Sequence, residues 1–135
     1  MASFSELPVY KVGYDLLLQI YKRSSQFSRE YRYTLGERLK SEVTDMLICI
    51  YKANKSKSAN RLSYIEEARR HVEVVRLLLR VCKDLKIIGL KGHVSLNVNV
   101  EEVSKQLTAW QRHVAGACAR DEYVSRGTGS AACSS

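Results

Sequence analysis

Apolar residues recur every three or four positions along most of the chain, and this spacing constrains the fold more than any other feature. The pattern runs from residue 8 to about residue 118 and contains a single proline, Pro8. Such spacing aligns apolar side chains along one face of a helix, whereas a strand would alternate them. Proline interrupts helices, but Pro8 stands where a first helical turn accepts it. The sequence therefore predicts an all-α protein.

The apolar pattern divides into four helical segments. Their predicted bounds are about Pro8 to Ser25, Thr34 to Asn54, Asn60 or Ser63 to Ile88, and Asn99 to residue 120. Thr34 and Ser63 each precede a glutamate by three residues, which is the capping-box pattern, although a start of the second helix nearer Arg29 is the alternative. Four helices with short connections fit an antiparallel up-down-up-down four-helix bundle over residues 1–120. Residues 121–135 are small and polar, and we predict a disordered, flexible C-terminal tail there.

The third predicted helix is apolar around more of its circumference than one bundle requires. Its apolar arc covers roughly 200° of the helical wheel, whereas burial in a lone bundle needs about 100°. We therefore predict a homo-oligomer in which one flank of this helix lies at the subunit interface. The alternative is that this helix is simply the most buried element of one bundle. The expected interface residues are Val74, Leu78, Val81 and Leu85.

The same helix carries a row of positive charge. Four cations recur at steps of seven, four and three residues, which at about 100° per residue places them on one face. Glu73 lies among them and would pair with only part of that charge. A basic row of this kind suits a polyanion, so we expect it to bind the phosphates of nucleic acid. The residues of this basic ridge are Arg69, Arg76, Arg80 and Lys83.

Positive charge beyond the ridge favours the same interpretation. The chain has 22 lysines and arginines against 14 acidic residues, a net charge of +8, which favours phosphate-bearing partners but also serves solubility alone. The last helix adds Lys105 and Arg112, and we assign both to the nucleic-acid-binding set. The first connection interleaves arginines with aromatic residues, which could stack on unpaired bases. We nevertheless expect the tyrosines of this connection, Tyr31 and Tyr33, to lie in the core.

No sequence pattern points to catalysis, a cofactor or a metal. The four cysteines form no CxxC pair or Cys/His cluster, and we expect Cys49, Cys82 and Cys118 to be reduced core residues. The histidines have no ligand or nucleophile at a recognised spacing, and we expect His71 to be hydrogen-bonded in the core or at an interface. The sequence also lacks a phosphate-binding glycine loop. We therefore predict a protein that is not an enzyme and needs no cofactor and no metal.

The sequence also lacks a signal for membrane insertion or secretion. No apolar run approaches the roughly 20 residues that span a bilayer. The first residues do not show a charged region followed by an apolar one. We expect a cytoplasmic protein without membrane association.

One segment of the chain resembles a known family. The run Phe27-Ser-Arg-Glu-Tyr-Arg-Tyr-Thr-Leu-Gly-Glu-Arg-Leu39, with Val9-Tyr10-Lys11 upstream, is similar to a bacterial four-helix-bundle family. This family contains the ribosomal-RNA intervening-sequence proteins and the accessory variability determinants of diversity-generating retroelements. Intervening-sequence members usually have Phe-Pro where this chain has Phe27-Ser28, and Asn-Ile-Ala-Glu-Gly near residues 49–54. The chain is therefore closer to the accessory determinants.

The resemblance implies a pentameric, barrel-shaped assembly with a positive surface, which binds nucleic acid and a reverse transcriptase. Such a protein has no active site of its own and helps the polymerase and its template RNA to form a productive complex. RNA is the expected ligand, with DNA as the alternative. A second hypothesis stays open, which is a structural or protein-interaction bundle, like the intervening-sequence proteins, whose positive charge is incidental.

Overall fold

The computed structural model describes residues 6–128, with side chains over residues 6–124, and contains four helices. Helix α1 is Pro8–Ser24, α2 spans residues 29–55, α3 is Ser58–Asp84 and α4 is Leu90–Thr128. Residues 6–128 contain no strand. The predicted all-α, four-helix fold is confirmed.

The helices pack around one core. Helices α3 and α4 run in opposite directions, because Arg69 meets Gln111 whereas Arg76 meets Glu101. The α2–α3 and α3–α4 interfaces are the most extensive, and α1 closes the bundle against α2 and α4. In the part of the chain that is described, no helix combines the length and apolar character needed to cross a membrane. The fully buried large side chains come from all four helices and include Leu16, Ile20, Leu39, Met46, Ile50, Ile65, Leu79, Leu96 and Leu107.

Helix α2 starts earlier than the capping pattern predicts, and it is irregular near its start. It consists of an α-helical turn, a π-helical segment and a regular α-helix, which are Arg29–Tyr31, Arg32–Gly36 and Glu37–Lys55. The predicted start at Thr34 is wrong, and the alternative near Arg29 is confirmed. Thr34 lies inside the helix, where its Oγ1 donates a hydrogen bond to the Glu30 carbonyl at 2.9 Å instead of capping a helix end.

Helices α3 and α4 also start before their predicted positions. Helix α3 begins at Ser58, so Ser63 lies in its interior. Helix α4 begins at Leu90, well before Asn99. The Arg23 side chain of α1 lies over this early turn at Gly92, where a Cβ atom would be 2.7 Å from Nη1 of Arg23.

Helix α4 also continues past its predicted end, through Thr128. Residues 121–128, which we assigned to the tail, therefore extend the helix. The run Ala-Cys-Ala-Arg-Asp-Glu before and within this stretch is rich in strong helix formers, which explains the continuation. Residues 129–135 of the predicted tail lie outside the described residues, and the flexibility of residues 121–135 stays a prediction.

The end of α3 forms a Schellman motif with a lysine where glycine is usual. Lys86 has a φ of 59°. The Ile87 N–H donates to the Cys82 carbonyl at 2.8 Å, and the Lys86 N–H donates to the Lys83 carbonyl at 3.0 Å. A residue with a side chain is strained in this left-handed conformation, whereas glycine is not.

We therefore expect Lys86→Gly to raise the free energy of unfolding by about 0.5–1 kcal/mol. Lys83→Gly is the matched control, because glycine inside the last helical turn should lower that free energy by about 1 kcal/mol. Urea denaturation of both variants measures the two changes. A loss of stability in Lys86→Gly would contradict the relief of strain.

Candidate nucleic-acid interface

The basic ridge lies on the side of α3 next to α4, and neighbouring side chains engage most of its cations. Arg69 is half-buried and donates a hydrogen bond to the Gln111 side chain of α4. Arg80 is exposed, and its Nε donates to Oδ2 of Asp84, one turn further along α3, at 3.3 Å. These contacts use guanidinium groups that the sequence assigns to phosphate binding.

Arg76 is the most constrained residue of the ridge. Its Nε and Nη2 donate to the two carboxylate oxygens of Glu101 on α4, each at 2.9 Å, and its Nη1 contacts Glu73. The hydrogen bonds to Glu101, and then to Glu73, raise the pKa of the Arg76 guanidinium. Its side chain is only 27% exposed. Arg76 therefore joins α3 to α4, which leaves it less available to a phosphate than its spacing alone indicates.

The remaining predicted phosphate-binding cations on the α3–α4 side are Lys83, Lys105 and Arg112, and two of them lie beside carboxylates. Lys83 and Lys105 line an open groove of about 520 Å³ between α3 and α4. Glu101 and Glu102 line the same groove, and Arg112 is exposed further along α4. The six predicted phosphate-binding cations are thus interspersed with carboxylates, which lowers the positive potential of this side.

The contacts predict different effects of removing Arg76 and Arg80. Arg76→Gln leaves Glu101 and Glu73 without their partner, so we expect the free energy of unfolding to fall by about 1 kcal/mol. Arg80→Gln removes only an exposed pair within one helix and should cost less than about 0.5 kcal/mol. Urea denaturation compares the two variants. Equal losses would mean that the bridge from α3 to α4 adds nothing to stability.

A second surface, on the α1–α2 side, combines exposed tyrosines with lysines. Tyr21 is 50% exposed and Tyr51 is 46% exposed. Lys40 Nζ lies 4.7 Å from the ring centroid of Tyr21, and Lys55 Nζ lies 5.9 Å from that of Tyr51. The Lys40 side chain is only 19% exposed and its Nζ also pairs with Glu37 Oε1 at 3.2 Å, which leaves Lys55 as the more available cation of this face. The residues of this tyrosine–lysine face are Tyr10, Tyr14, Tyr21, Lys40, Tyr51 and Lys55.

Helical spacing explains why these residues share a face. Tyr10, Tyr14 and Tyr21 follow at steps of four and seven residues, which aligns them along α1, and the α2 members are likewise spaced by eleven and four. The rings of Tyr10 and Tyr14 stack with centroids 5.8 Å apart and planes at 25°. Tyr10 and Tyr51 also line a shallow apolar groove of about 240 Å³, together with Ile48. The face is therefore continuous across α1 and α2.

The prediction that the tyrosines of the first connection lie in the core is met by Tyr31, which packs partly buried against the core, and is wrong for Tyr33, which is 64% exposed. Tyr14, Tyr21 and Tyr51 are exposed, and Tyr10 is only partly buried against the core. A phenol ring suits either a core or a wet surface, so residue type did not decide the matter. The seven-residue step from Tyr14 to Tyr21, beside the apolar side of α1, is the signal that could have placed them. Exposed rings can stack on unpaired bases while lysines contact phosphates.

The predicted interface residues divide between the core and the surface. Leu78 is half-buried and packs against the core. Val74 and Val81 are half-buried on the outer side of α3, and Leu85 is exposed. Leu77, which the sequence reasoning missed, is 62% exposed on that outer side. A second exposed apolar strip, spaced by four residues on α4, consists of Leu90, Val94 and Val98.

A polar contact links α2 to α3 inside the bundle. Glu42 is buried, and its carboxylate accepts hydrogen bonds from His71 Nδ1 at 2.6 Å and from Arg38 Nε at 2.9 Å. Burial alone would raise the pKa of the Glu42 carboxyl, but the hydrogen bonds from His71 and Arg38 outweigh it and lower the pKa. His71 is thus hydrogen-bonded between two helices, as predicted.

The fold and the two surfaces define the class of protein: it is a small, basic four-helix bundle that carries cations and exposed aromatic rings on its surface. Residues 9–114 match the bAvd-like family. The chain belongs to this family, whose bAvd is the bacterial accessory variability determinant of diversity-generating retroelements. A comparison with curated proteins gives no match. The relation to the intervening-sequence proteins stays a prediction.

Proposed function

We propose that this protein is a non-catalytic accessory protein of a diversity-generating retroelement, which binds RNA as a homo-oligomer and assists a reverse transcriptase with its template. The family match over residues 9–114 is the observation that carries the proposal. Membership supports an association with a reverse transcriptase. In this role the protein positions nucleic acid for the polymerase and performs no chemistry itself.

The tyrosine–lysine face supports the binding of unpaired RNA. Tyr10 and Tyr21 are eleven positions apart, or about 16 Å along the helix, which is long enough for more than one base to stack. The exposed Lys55 beside Tyr51 supplies a phosphate contact that reads no sequence. On the α3–α4 side we retain the exposed Arg80 and Arg112 as further phosphate contacts. Lys83 and Lys105 share their groove with Leu90, Val94 and Val98 and would therefore lie next to the proposed subunit interface.

Two exposed apolar strips support the oligomer. A closed ring larger than a dimer needs two different, complementary patches on each subunit. The outer side of α3, with Leu77 and Leu85, offers one patch, and Leu90, Val94 and Val98 on α4 offer the other. We propose that these strips pair between neighbouring subunits in a pentameric ring, the number that the family resemblance implies.

One observation favours the alternative of a structural bundle with incidental charge. Arg69 and Arg76 are engaged by side chains of α4, so part of the ridge charge stabilises the bundle. Under this alternative the protein contacts other proteins and does not bind RNA.

RNA binding by fluorescence anisotropy across a salt series, with the oligomer mass measured on the same sample, tests the proposal. Single-stranded RNA, structured RNA and single-stranded DNA are compared. We expect an oligomer that binds single-stranded RNA with an affinity that falls steeply as the salt concentration rises. Lysine and arginine side chains that contact phosphates displace counterions from the RNA, and added salt opposes this displacement. Absence of binding at low salt would contradict the proposal and favour the structural alternative.

A further inference from the structure

Three side chains that commonly ligate metals meet between α2 and α3. Cys49 Sγ, a carboxylate oxygen of Glu67 and a ring nitrogen of His71 lie within 4.8 Å of one another. Cys49 comes from α2, whereas Glu67 and His71 lie one turn apart on α3 and therefore face the same way. Sequence spacing could not reveal this cluster because its members come from two helices. Cys49 is buried, His71 is half-buried and Glu67 is the most exposed of the three, so solvent reaches the cluster from the Glu67 side.

The Glu42–His71 contact engages Nδ1 of the imidazole, which leaves Nε2 as the ring nitrogen for a metal. His71 Nδ1 donates to Oε2 of Glu42 at 2.6 Å, so the lone pair of the neutral ring is on Nε2. Metal-binding histidines usually donate their other ring N–H to a carboxylate in this manner, which fixes the ring and raises its basicity. Arg38 in turn holds Glu42 in place, with Nε 2.9 Å from Oε1.

We propose that Cys49, Glu67 and His71 form a zinc-binding site, with water as the fourth ligand. Thiolate, imidazole and carboxylate are the donors that zinc takes in proteins, at about 2.0–2.3 Å and in a tetrahedron. Ligand atoms around such a metal lie about 3.5 Å apart. The three ligand atoms therefore need to approach by about 1 Å, a shift that rotation of the Glu67 side chain and small χ changes supply.

Zinc carries two positive charges, and the proposed site lies among both acidic and basic side chains. Burial, and after it the negative charge of Glu67, raise the pKa of the Cys49 thiol to about 11, whereas the positive charge of Lys52 acts in the opposite direction. The Cys49 thiolate and the Glu67 carboxylate are therefore the groups that balance the metal. Coordination displaces the thiol proton of Cys49, which passes to the solvent, and nothing is oxidised or reduced.

Titration of the full, reduced chain with Co²⁺ in place of zinc tests this site. A thiolate ligand gives a sulfur-to-cobalt charge-transfer band, and tetrahedral geometry gives intense visible bands. We expect one Co²⁺ per chain with both signatures, and loss of both when zinc is added. Cys49→Ser should abolish the charge-transfer band, and His71→Ala should weaken Co²⁺ binding at least tenfold.

Further variants separate a ligand role from a structural one. Glu67→Gln changes the least buried ligand, keeps the fold, and should also weaken binding at least tenfold. Glu42→Gln keeps all three ligands and should weaken binding by about 10–100-fold through the hydrogen bond to His71. Cys118→Ser is the matched cysteine control and should keep both signatures. A wild-type chain without a charge-transfer band, or a band that survives Cys49→Ser, would overturn the proposal.

Discussion

Replacing Tyr21 and Tyr51 together with alanine is expected to weaken the binding of single-stranded RNA by about 30-fold or more. Each ring is about half exposed, and the loss of one base–aromatic stack costs about 1–3 kcal/mol. Two separate losses add up to at least about 2 kcal/mol, and each 1.4 kcal/mol is tenfold. Fluorescence anisotropy with an unstructured oligonucleotide at one salt concentration measures the change.

The salt dependence of the same variants separates stacking from charge. The tyrosine substitutions remove no phosphate contact, so the slope of log affinity against log salt should stay that of the wild type. Lys55→Gln should reduce that slope by about 0.7, the contribution of one single-strand contact. Tyr123→Ala is the matched control, because Tyr123 is 79% exposed but lies near the far end of α4. If the double tyrosine variant binds RNA with wild-type affinity, the tyrosine–lysine face is not the binding site, and the basic ridge of α3 becomes the candidate.

Placing glutamates at Val94 and Val98 is expected to reduce the oligomer to single subunits of 15.3 kDa. Burial of one valine or leucine side chain contributes about 1.5–3 kcal/mol to an interface. A carboxylate buried without a partner costs still more. Leu77→Glu with Leu85→Glu should have the same effect through the α3 strip. Light scattering during size-exclusion chromatography measures the mass, and Ile48→Glu, on the α1–α2 side, should leave it unchanged.

Mixing the two dissociated variants tests how the strips pair. The α4 variant keeps an intact α3 strip, and the α3 variant keeps an intact α4 strip. A pairing of α3 with α4 across subunits therefore restores one interface and gives a mixed dimer, whereas self-pairing of either strip would not. Wild-type mass in either variant would contradict the assignment of that strip, and a monomeric wild type would contradict both.

The fold was predictable from the sequence because burial follows the helical period. Leu39, Val43, Met46 and Ile50 follow one another at steps of four, three and four residues along α2, and all four are buried. Helix starts were less predictable, since a capping pattern such as that of Thr34 also occurs inside a helix. Local sequence specifies which residues favour a helix, but packing against other helices decides where the helix begins.

The surfaces were less predictable than the core because they depend on partners distant in sequence. The spacing of Arg76 was clear, but its pairing with Glu101 arises only when α3 lies against α4. Tyr21 and Tyr51 come to share one face only through the packing of α1 on α2. For the same reason Cys49 and His71 appeared unrelated until the fold brought them together.

The π-helical segment Arg32–Gly36 gives α2 the form of an α-helix with one inserted residue. Each residue of an α-helix turns the chain by about 100°, so the insertion rotates residues 29–31 by about that angle relative to Glu37–Lys55. Deletion of one residue here would leave the core positions of Glu37–Lys55 unchanged and redirect the corner that buries Phe27. Relatives that differ by one residue in this stretch would therefore share a core while joining α1 to α2 along different paths.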